Sequence, residues 1–285
     1  MKLLVAAALA ALVAAPAAKV DTQEWTYGLA SSNGSLWAGG LAIGDVLRFD
    51  PASGKVTARV NVGARVFKLA AAPGAVWAVA NLSGSVSRID TRTGKVTATV
   101  SVGNAPYDVE WGFGSAWVSN ASSGTVSRIT GKRVVKTIKV GVEPNGLTAY
   151  RGFLWVTDHT AGKLLKVDPR TNRVGASLAL PGADWVTPLG NSLYVSQETN
   201  VVTRVDVRTL KVTGSVRTAR NPLGSAVVGR ELWVPCIDAH TIVVVDPASL
   251  KVLRRVEDGP GPIVVLPAFG HTWVSHSTGT TISRL

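Results

Sequence analysis

Three charged side chains stand where comparable positions of this chain carry mostly small or apolar residues. Lys68 and Asp108 each lie nine residues before a tryptophan, and Glu110 lies seven residues before the same tryptophan as Asp108. An ammonium and two carboxylates at one place can contact a ligand or a cation. They can equally form a buried ion pair with a spare carboxylate, because buried charges need partners. Both interpretations stay open, and the structural ion pair is the preferred one.

Two further positions suggest a binding site. Trp185 replaces a small residue at the offset of Lys68 and Asp108, and aromatic walls supply contact area for ligands. Asp158 and His159 follow Trp155 in a predicted loop on the same side of the molecule. The predicted ligand-binding residues are Lys68, Asp108, Glu110, Asp158, His159 and Trp185. No catalytic residue and no metal ligand is predicted.

The elements that position these residues belong to a repeat of about 40 residues, a period typical of propeller blades. Each copy has one anchoring aromatic residue near its centre, and successive anchors are 38 to 40 residues apart. The anchors are Trp37, Trp77, Trp117, Trp155, Tyr194, Trp233 and Trp273. The repeat predicts one domain built from seven copies.

Each copy has the pattern of four short strands. Glycine three residues before most anchors, as at Gly34 and Gly74, suits the hairpin turn between the first two strands. The fourth strand, as in "GKVTATVSVG", is rich in Val and Thr, which favour half-buried strands. No window after the N-terminal segment has a sustained helical period. The fold class is therefore predicted as all-β with four-stranded repeats.

The phase of the repeat predicts how its ends meet. The sequence stops at "TTISRL", after the third strand of copy seven, and "AKVDT" is spare before copy one. The first and last copies follow the repeat pattern as closely as the others do, whereas the end repeats of a solenoid are usually atypical polar caps. We predict a seven-bladed β-propeller over residues 18–285. Ala18–Thr22 would supply the outer strand of the last blade.

The first 17 residues read as a secretory signal peptide. One lysine precedes an apolar run from Leu3 to Ala15, and Ala15–Ala17 fits an A-x-A cleavage site. The run is too short for a membrane span, and we find no other candidate span in the chain. An uncleaved anchor is the alternative. The segment predicts a secreted or periplasmic protein.

The charge balance is strongly basic, with a formal net charge of +12 and a pI near 10.2. Such a balance suggests nucleic-acid or anionic-surface binding. The basic residues recur once per copy, however, so a ring would disperse them over its outer wall and lower rim. Many acids and aromatic residues fall instead in loops that share one face, so we expect a basic rim and a more acidic, aromatic mouth.

Cys236 is the only cysteine, so no internal disulfide can form. It closes a predicted second strand, in "WVPC". We expect it to behave as a small buried apolar residue.

The recurring phrase "VG-x-x-P…G-x-x-W-V-x-N…SG-x-V-x-R-I-D…TGKV-x-A-x-V" resembles the YVTN-type repeat of secreted, YncE-like β-propellers. The best copies are Gly63–Val102 and Gly103–Val140, and Trp-Val stands where that repeat usually has Tyr-Val. The resemblance implies the propeller fold. It implies little about function, because the matching residues are structural. Proteins with such repeats are often uncharacterised envelope or surface proteins, and some bind DNA.

The Trp-bearing second strands also resemble, more distantly, the streptogramin (virginiamycin B) lyases. Those seven-bladed enzymes use His and Glu side chains with Mg²⁺ in the central mouth. Their usual Gly-Pro-x-Gly-Ile motif is absent here, although "GPGPIVV" at Gly259–Val265 is a distant echo. No catalytic residue is carried over from this resemblance.

The sequence thus predicts a secreted or periplasmic binding or interaction module. A small molecule or a protein would be held at the mouth, without a cofactor, and we expect a monomer. The first alternative is a lyase or hydrolase of the streptogramin lyase type, with Mg²⁺ as its divalent cation. The second alternative is weak, non-specific nucleic-acid binding.

Overall fold

The computed structural model describes residues 18–285, so the predicted signal peptide lies outside the described residues. These residues form 28 strands in seven four-stranded antiparallel sheets. Two short 3₁₀ segments, Ala121–Ser123 and Ile237–Ala239, follow strands. Within residues 18–285, no helix has the length and apolar character needed to cross a membrane.

Seven sheets form seven blades. In six of them the strands follow the chain outwards from the central channel, and in the seventh the N-terminal strand takes the outermost place. The strands up to the end of blade 3 are β1 (Ala18–Asp21), β2 (Thr26–Ser32), β3 (Ser35–Gly40), β4 (Asp45–Phe49), β5 (Val56–Asn61), β6 (Val66–Ala72), β7 (Ala75–Ala80), β8 (Ser85–Asp90), β9 (Val96–Ser101), β10 (Pro106–Gly112), β11 (Ser115–Asn120), β12 (Thr125–Thr130) and β13 (Arg133–Lys139). Those of blades 4 and 5 are β14 (Pro144–Tyr150), β15 (Phe153–Asp158), β16 (Lys163–Asp168), β17 (Arg173–Ala179), β18 (Ala183–Leu189), β19 (Ser192–Gln197), β20 (Val201–Asp206) and β21 (Lys211–Arg217). Those of blades 6 and 7 are β22 (Ala226–Val228), β23 (Glu231–Cys236), β24 (Thr241–Asp246), β25 (Lys251–Glu257), β26 (Pro262–Ala268), β27 (His271–His276) and β28 (Thr281–Arg284).

The last blade joins the two ends of the chain. β1 pairs antiparallel with β28, from Ala18 opposite Arg284 to Asp21 opposite Thr281. Val20 of β1 is buried in the core cluster that also contains Trp273. This pairing confirms the predicted seven-bladed β-propeller, closed by the N-terminal strand.

The anchors fill the space between neighbouring blades, and five of them are almost wholly buried: Trp37, Trp77, Trp117, Trp155 and Trp273. A buried indole N–H needs an acceptor, and Trp117 Nε1 donates to the carbonyl of Gly112 at 2.9 Å. Trp37, Trp155 and Trp273 donate in the same way to a carbonyl five residues earlier. The repeated tryptophan is therefore a core residue of the fold.

A basic side chain covers most anchors. Arg128 lies opposite Trp117 in the strand register, with its guanidinium carbon 4.8 Å from the centroid of the ring. Its guanidinium also donates to Ser115 and, in the next blade, to Pro169 O and Asn172. Arg48, Lys166, Arg254 and Arg284 cover their own anchors in a similar way. Part of the basic charge is therefore structural, since cations over aromatic faces stabilise the packing.

The innermost strands carry a recurrent irregularity. The register shifts between residues 26 and 29, 66 and 69, 106 and 109, and 144 and 147, and comparable shifts occur in blades 5 and 7. A β-bulge of this kind bends a strand and re-aims its side chains. Lys68, Asp108 and Trp185 all lie at or beside these bulges, near the channel.

Cys236 is buried at the end of β23, and burial raises the pKa of its thiol. Both observations agree with the predicted role as a packing residue, because the nucleophilic form of a cysteine is the thiolate.

Candidate functional site

The repeat-breaking residues meet in the central channel. Lys68, Asp108 and Glu110, from blades 2 and 3, line a cavity of about 170 Å³ together with Trp185 from blade 5. The rest of the lining is Gly28, Leu29, Leu69, Val109, Leu147, Val264, Val265 and Leu266. We call this space the channel cavity. Four of the six predicted ligand-binding residues therefore share one cavity.

Lys68 reaches across the channel to the opposite wall. Its Nζ atom lies 2.9 Å from the centroid of the Trp185 ring and 3.9 Å from Asp108 Oδ1. The second distance is too long for a hydrogen bond, and Nζ donates no hydrogen bond within residues 18–285. Burial lowers the pKa of Lys68, while the carboxylates of Asp108, Asp184 and Glu110 oppose this effect.

Asp108 has a clear structural role. Its carboxylate accepts hydrogen bonds from the backbone amides of Val109, at 2.8 Å, and of Leu147 in the next blade, at 2.9 Å. Burial raises the pKa of Asp108, and Lys68 and the two amides oppose that rise. The carboxylate therefore joins blades 3 and 4 as well as facing Lys68.

Glu110 is less completely satisfied. Its Oε1 atom accepts a hydrogen bond from the amide of Ala149 in blade 4 at 3.0 Å. Oε2 has no protein hydrogen bond within residues 18–285, and the residue lines the channel cavity. Burial raises the pKa of Glu110 to about 7; Asp108 adds to the rise, while the Ala149 amide and Lys68 oppose it. Burial therefore favours the neutral carboxylic acid at pH values where an exposed glutamate is ionised.

An aromatic cluster lies where the innermost strands of blades 1 to 3 begin. Tyr27 stacks on Phe67 with ring centroids 5.1 Å apart, and Phe67 meets Tyr107 edge-on at 5.6 Å. The hydroxyl oxygens of Tyr27 and Tyr107 are 2.9 Å apart. The sequence analysis expected aromatic residues on the mouth face but did not identify this cluster, which lies outside the lining of the channel cavity.

Two polar residues occupy the equivalent positions in blades 4 and 5. Asn145 Nδ2 donates to Asp184 Oδ1 at 3.1 Å, and Asn145 Oδ1 is buried without a partner in the described part of the chain. Burial raises the pKa of Asp184 to about 6, while Asn145, His159 and Lys68 oppose the rise. Sequence reasoning did not select Asn145 or Asp184.

A positional signal was available for these residues. Tyr27, Phe67, Tyr107, Asn145 and Asp184 all lie ten residues before their anchors, one position before the offset that the sequence analysis compared. The bulge re-aims adjacent positions of the strand, but none of these five residues lines the channel cavity.

Asp158, the fifth predicted ligand contact, lies at the end of β15. It is buried, and its carboxylate accepts hydrogen bonds from the backbone amides of Val142, Glu143 and Ala161 at 2.8 to 3.1 Å. It does not line the channel cavity. Asn120, three residues after its own anchor as Asp158 is, accepts an amide hydrogen bond in a similar way. These contacts indicate a role in holding the loop between β13 and β14.

His159 lies at the rim between blades 4 and 5, outside the lining of the channel cavity. Its Nδ1 atom is 3.3 Å from Glu143 Oε2, and its Nε2 atom is 2.9 Å from Glu198 Oε1. Burial lowers the pKa of His159, but the carboxylates of Asp184, Glu198 and Glu143 outweigh this effect, and the pKa is raised. The ring therefore links two acidic loops.

The Mg²⁺ of the lyase alternative has no evident ligand set. Within residues 18–285, no three His, Cys, Asp or Glu side chains converge as a metal-binding group. His276 is buried with its Nε2 atom 3.3 Å from Asp258 Oδ2, and His240 Nδ1 accepts the Gly261 amide. These histidines do not fit the cation, and we derive no step through it.

A second, more open groove of about 530 Å³ lies at the opposite rim, between blades 3 and 4. Its lining is Phe113, Arg128, Gly152, Phe153, Pro169 and Arg170. The groove is larger than the channel cavity, but the guanidinium of Arg128 already serves the fold. We place the candidate site in the channel because Lys68 is buried there without a hydrogen-bond acceptor among the described residues, which is costly without a partner, and because the half-buried Glu110 lines the same cavity.

Comparison with known proteins agrees with the fold and leaves the function open. A family model described as a repeat of unknown function (DUF6923) matches residues 5–141. Among solved structures, Kuenenia stuttgartiensis hydrazine synthase matches with a TM-score of 0.82 and 16% identity, over 91% of this chain and 95% of that chain. No curated protein matches. At this identity the likeness shows the propeller fold alone. The YVTN-type and streptogramin lyase resemblances are not confirmed.

Proposed function

We propose that this protein is a secreted or periplasmic binding module that holds a small molecule in the channel cavity. The observation that supports it is that, among the described residues, the Lys68 ammonium donates no hydrogen bond and Glu110 Oε2 accepts none. Both groups line one cavity within an otherwise largely apolar wall. Ligand sites commonly combine apolar walls with a few polar groups that fix orientation.

A purely structural ion pair fits these contacts less well. Buried charges stabilise a fold when close, hydrogen-bonded partners satisfy them. Asp108 meets that condition through two amides. Lys68 lies 3.9 Å from Asp108, and its closer partner is the Trp185 face at 2.9 Å, a cation–π contact that leaves its N–H groups without an oxygen acceptor within the described residues. An unsatisfied buried donor costs free energy. A ligand acceptor, or water when no ligand is bound, would accept the hydrogen bonds that the Lys68 ammonium can donate.

A thermal-shift screen of small metabolites tests this proposal. A ligand at 100 times its Kd stabilises a protein by about 2.7 kcal/mol, which for a domain of this size raises the melting temperature by about 5 to 10 °C. Trp185→Ala, which removes the ring beside Lys68, and Val264→Phe, which fills the cavity, should abolish the shift. Lys95→Ala, on an exposed turn, should retain it. A ligand whose shift survives both channel substitutions would overturn the proposal.

A further inference from the structure

The channel cavity offers opposite charges to one small ligand. Lys68 presents hydrogen-bond donors, and Glu110 presents an acceptor. The same cavity is also lined by leucine and valine residues from several blades. This combination restricts the class of molecule that can fill the cavity without leaving a charged group unpaired.

We propose that the channel cavity binds a small zwitterion, a molecule that carries one carboxylate and one ammonium on a short aliphatic body. Its carboxylate pairs with Lys68 and its ammonium pairs with Glu110. Aliphatic amino acids are the simplest members of this class. The inference rests on the proposed function and names the ligand class of that same site.

The donor side of the site is Lys68. The Trp185 face and the 3.9 Å approach of Asp108 leave the ammonium without a hydrogen-bond acceptor in the described protein. Both carboxylate oxygens of Asp108 already accept backbone amides. A ligand carboxylate therefore supplies what Asp108 does not, a charge-assisted hydrogen bond to Nζ.

The acceptor side is Glu110. Oε1 is engaged by the amide of Ala149, and Oε2 remains for a ligand donor. The charged groups near Glu110 are Asp108, on its own strand, and Lys68 on β6, while β14 on the other side presents the Ala149 amide. Since burial raises the pKa of Glu110 to about 7, a ligand ammonium beside it favours the ionised form. Binding near neutral pH should therefore release a proton from Glu110.

The size and walls of the cavity limit the ligand body. A volume of about 170 Å³ equals that of about six water molecules, which suits a molecule of few heavy atoms. The apolar lining is Leu29, Leu69, Val109, Leu147, Val264 and Leu266. A short aliphatic body buries its surface against these side chains, whereas a polar body would lose its hydration there.

A ligand with a single charge fits less well. An amine would pair with Glu110 but leave Lys68 unsatisfied, and a carboxylic acid would do the reverse. Sites built around polar groups reject analogues that lack the matching partner, because the buried group is then left unpaired. The two single-charge analogues therefore distinguish a zwitterion site from an anion site or a cation site.

Isothermal titration calorimetry at pH 7 tests the inference. The probes are L-valine, L-leucine, 4-aminobutanoate and 6-aminohexanoate, which span different charge separations. 4-Methylpentanoate and 3-methylbutylamine serve as single-charge analogues of leucine. We expect at least one zwitterion to bind, with a Kd at least about tenfold lower than either analogue. Titration in buffers of different ionisation enthalpy should show proton release.

Three substitutions assign the binding to the channel. Glu110→Gln should weaken zwitterion binding by at least about tenfold and abolish proton release, since an amide neither pairs with the ammonium nor titrates. Lys68→Met should weaken it similarly, and Val264→Phe should exclude the ligand while it keeps both charges. Lys95→Ala should bind as the wild-type protein does. If Lys68→Met does not fold, Glu110→Gln and Val264→Phe decide the test.

Two results would overturn the inference. One is a single-charge analogue that binds as tightly as every zwitterion. The other is the absence of binding by any zwitterion at the channel, shown either by no binding to the wild-type protein or by binding that is as tight to Glu110→Gln and Val264→Phe as to the wild-type protein. If another molecule is found that loses affinity in Val264→Phe, the channel remains a binding site and only the ligand class is wrong. The proposed function would instead be contradicted by a ligand whose affinity is unchanged by every channel substitution.

Discussion

Among single residues, Glu110 and Asp184 have carboxyl groups whose ionisation opposes folding. Burial raises the pKa of Glu110 to about 7 and that of Asp184 to about 6. Between the ordinary carboxyl pKa and these values, the folded protein holds protons that the unfolded chain has released. The free energy of unfolding therefore falls as the pH rises through this range, and the stabilisation is fully present only at lower pH.

Glu110→Gln should remove part of this pH dependence while it keeps an acceptor for the Ala149 amide. The pKa of Glu110 is raised from 4.5 to about 7, which corresponds to about 3 kcal/mol as an upper bound. At pH 8 the variant should be more stable than the wild-type protein by up to that amount, with a smaller difference near pH 5. Urea unfolding at several pH values measures it.

Glu257→Gln, at an exposed position of β25, is the matched control and should follow the wild-type pH profile. If Glu110→Gln also follows that profile, the carboxyl of Glu110 is ionised in the folded protein at lower pH than its burial indicates.

Asp158 should behave as a residue that stabilises its loop. Asp158→Ala leaves three backbone amides without their acceptor, so we expect a loss of about 3 kcal/mol in the free energy of unfolding. Asp158→Asn should lose less, because an asparagine serves at the equivalent position 120. Denaturant unfolding measures both. A near-normal stability of Asp158→Ala, together with lost ligand binding, would support the sequence-based prediction of a ligand contact instead.

Among the elements, β1 closes the ring and should determine much of its stability. A chain that begins at Glu24 lacks the pairing with β28 and the burial of Val20. Burial of a valine contributes about 1.5 to 3 kcal/mol, apart from the lost backbone hydrogen bonds. We expect a melting temperature at least about 5 °C below that of a chain that begins at Ala18. Calorimetry measures the difference.

The control for this comparison is Lys19→Ala in the longer chain, since the Lys19 side chain is exposed on β1 and should matter little. Equal melting temperatures for the chains that begin at Ala18 and Glu24 would show that β1 does not stabilise the last blade.

The strands were predictable because each copy repeats a local code. The glycine turn and the anchor recur at fixed offsets, as at Gly114 and Trp117, so the copies support one another. The bulges of the innermost strands were not predictable, because they depend on how neighbouring blades meet. For the same reason the surroundings of the site were predicted only in part. Lys68, Asp108 and Glu110 broke the pattern visibly, but Asn145 and Asp184, outside the cavity lining, lie at an offset that varies among the copies.

Over the whole molecule, the basic charge is distributed around the ring. The net charge is +12. Basic side chains recur over the rings of the anchors and at the start of most outer strands. Lysine on an outer strand also protects an exposed sheet edge from pairing with other chains. A dispersed charge of this kind attracts polyanions without a defined binding surface.

Nucleic-acid binding should accordingly be weak and independent of sequence. Phosphate contacts release counterions, so affinity for a labelled single-stranded oligonucleotide should fall steeply between 50 and 200 mM salt, by an order of magnitude or more. Fluorescence polarisation with several unrelated oligonucleotides measures this. Selective binding to one sequence that persists at high salt would contradict the dispersed arrangement of the basic residues.

The most direct test of the central claim is a crystal structure of the protein with the molecule that stabilises it most in the metabolite screen. Binding in the channel predicts that the ligand lies among Lys68, Glu110 and Trp185, with its polar atoms within about 3 Å of Nζ and Oε2. The side chains of the channel wall should need little movement. A ligand found in the groove beside Phe113 and Phe153, with the channel cavity unchanged, would contradict the account.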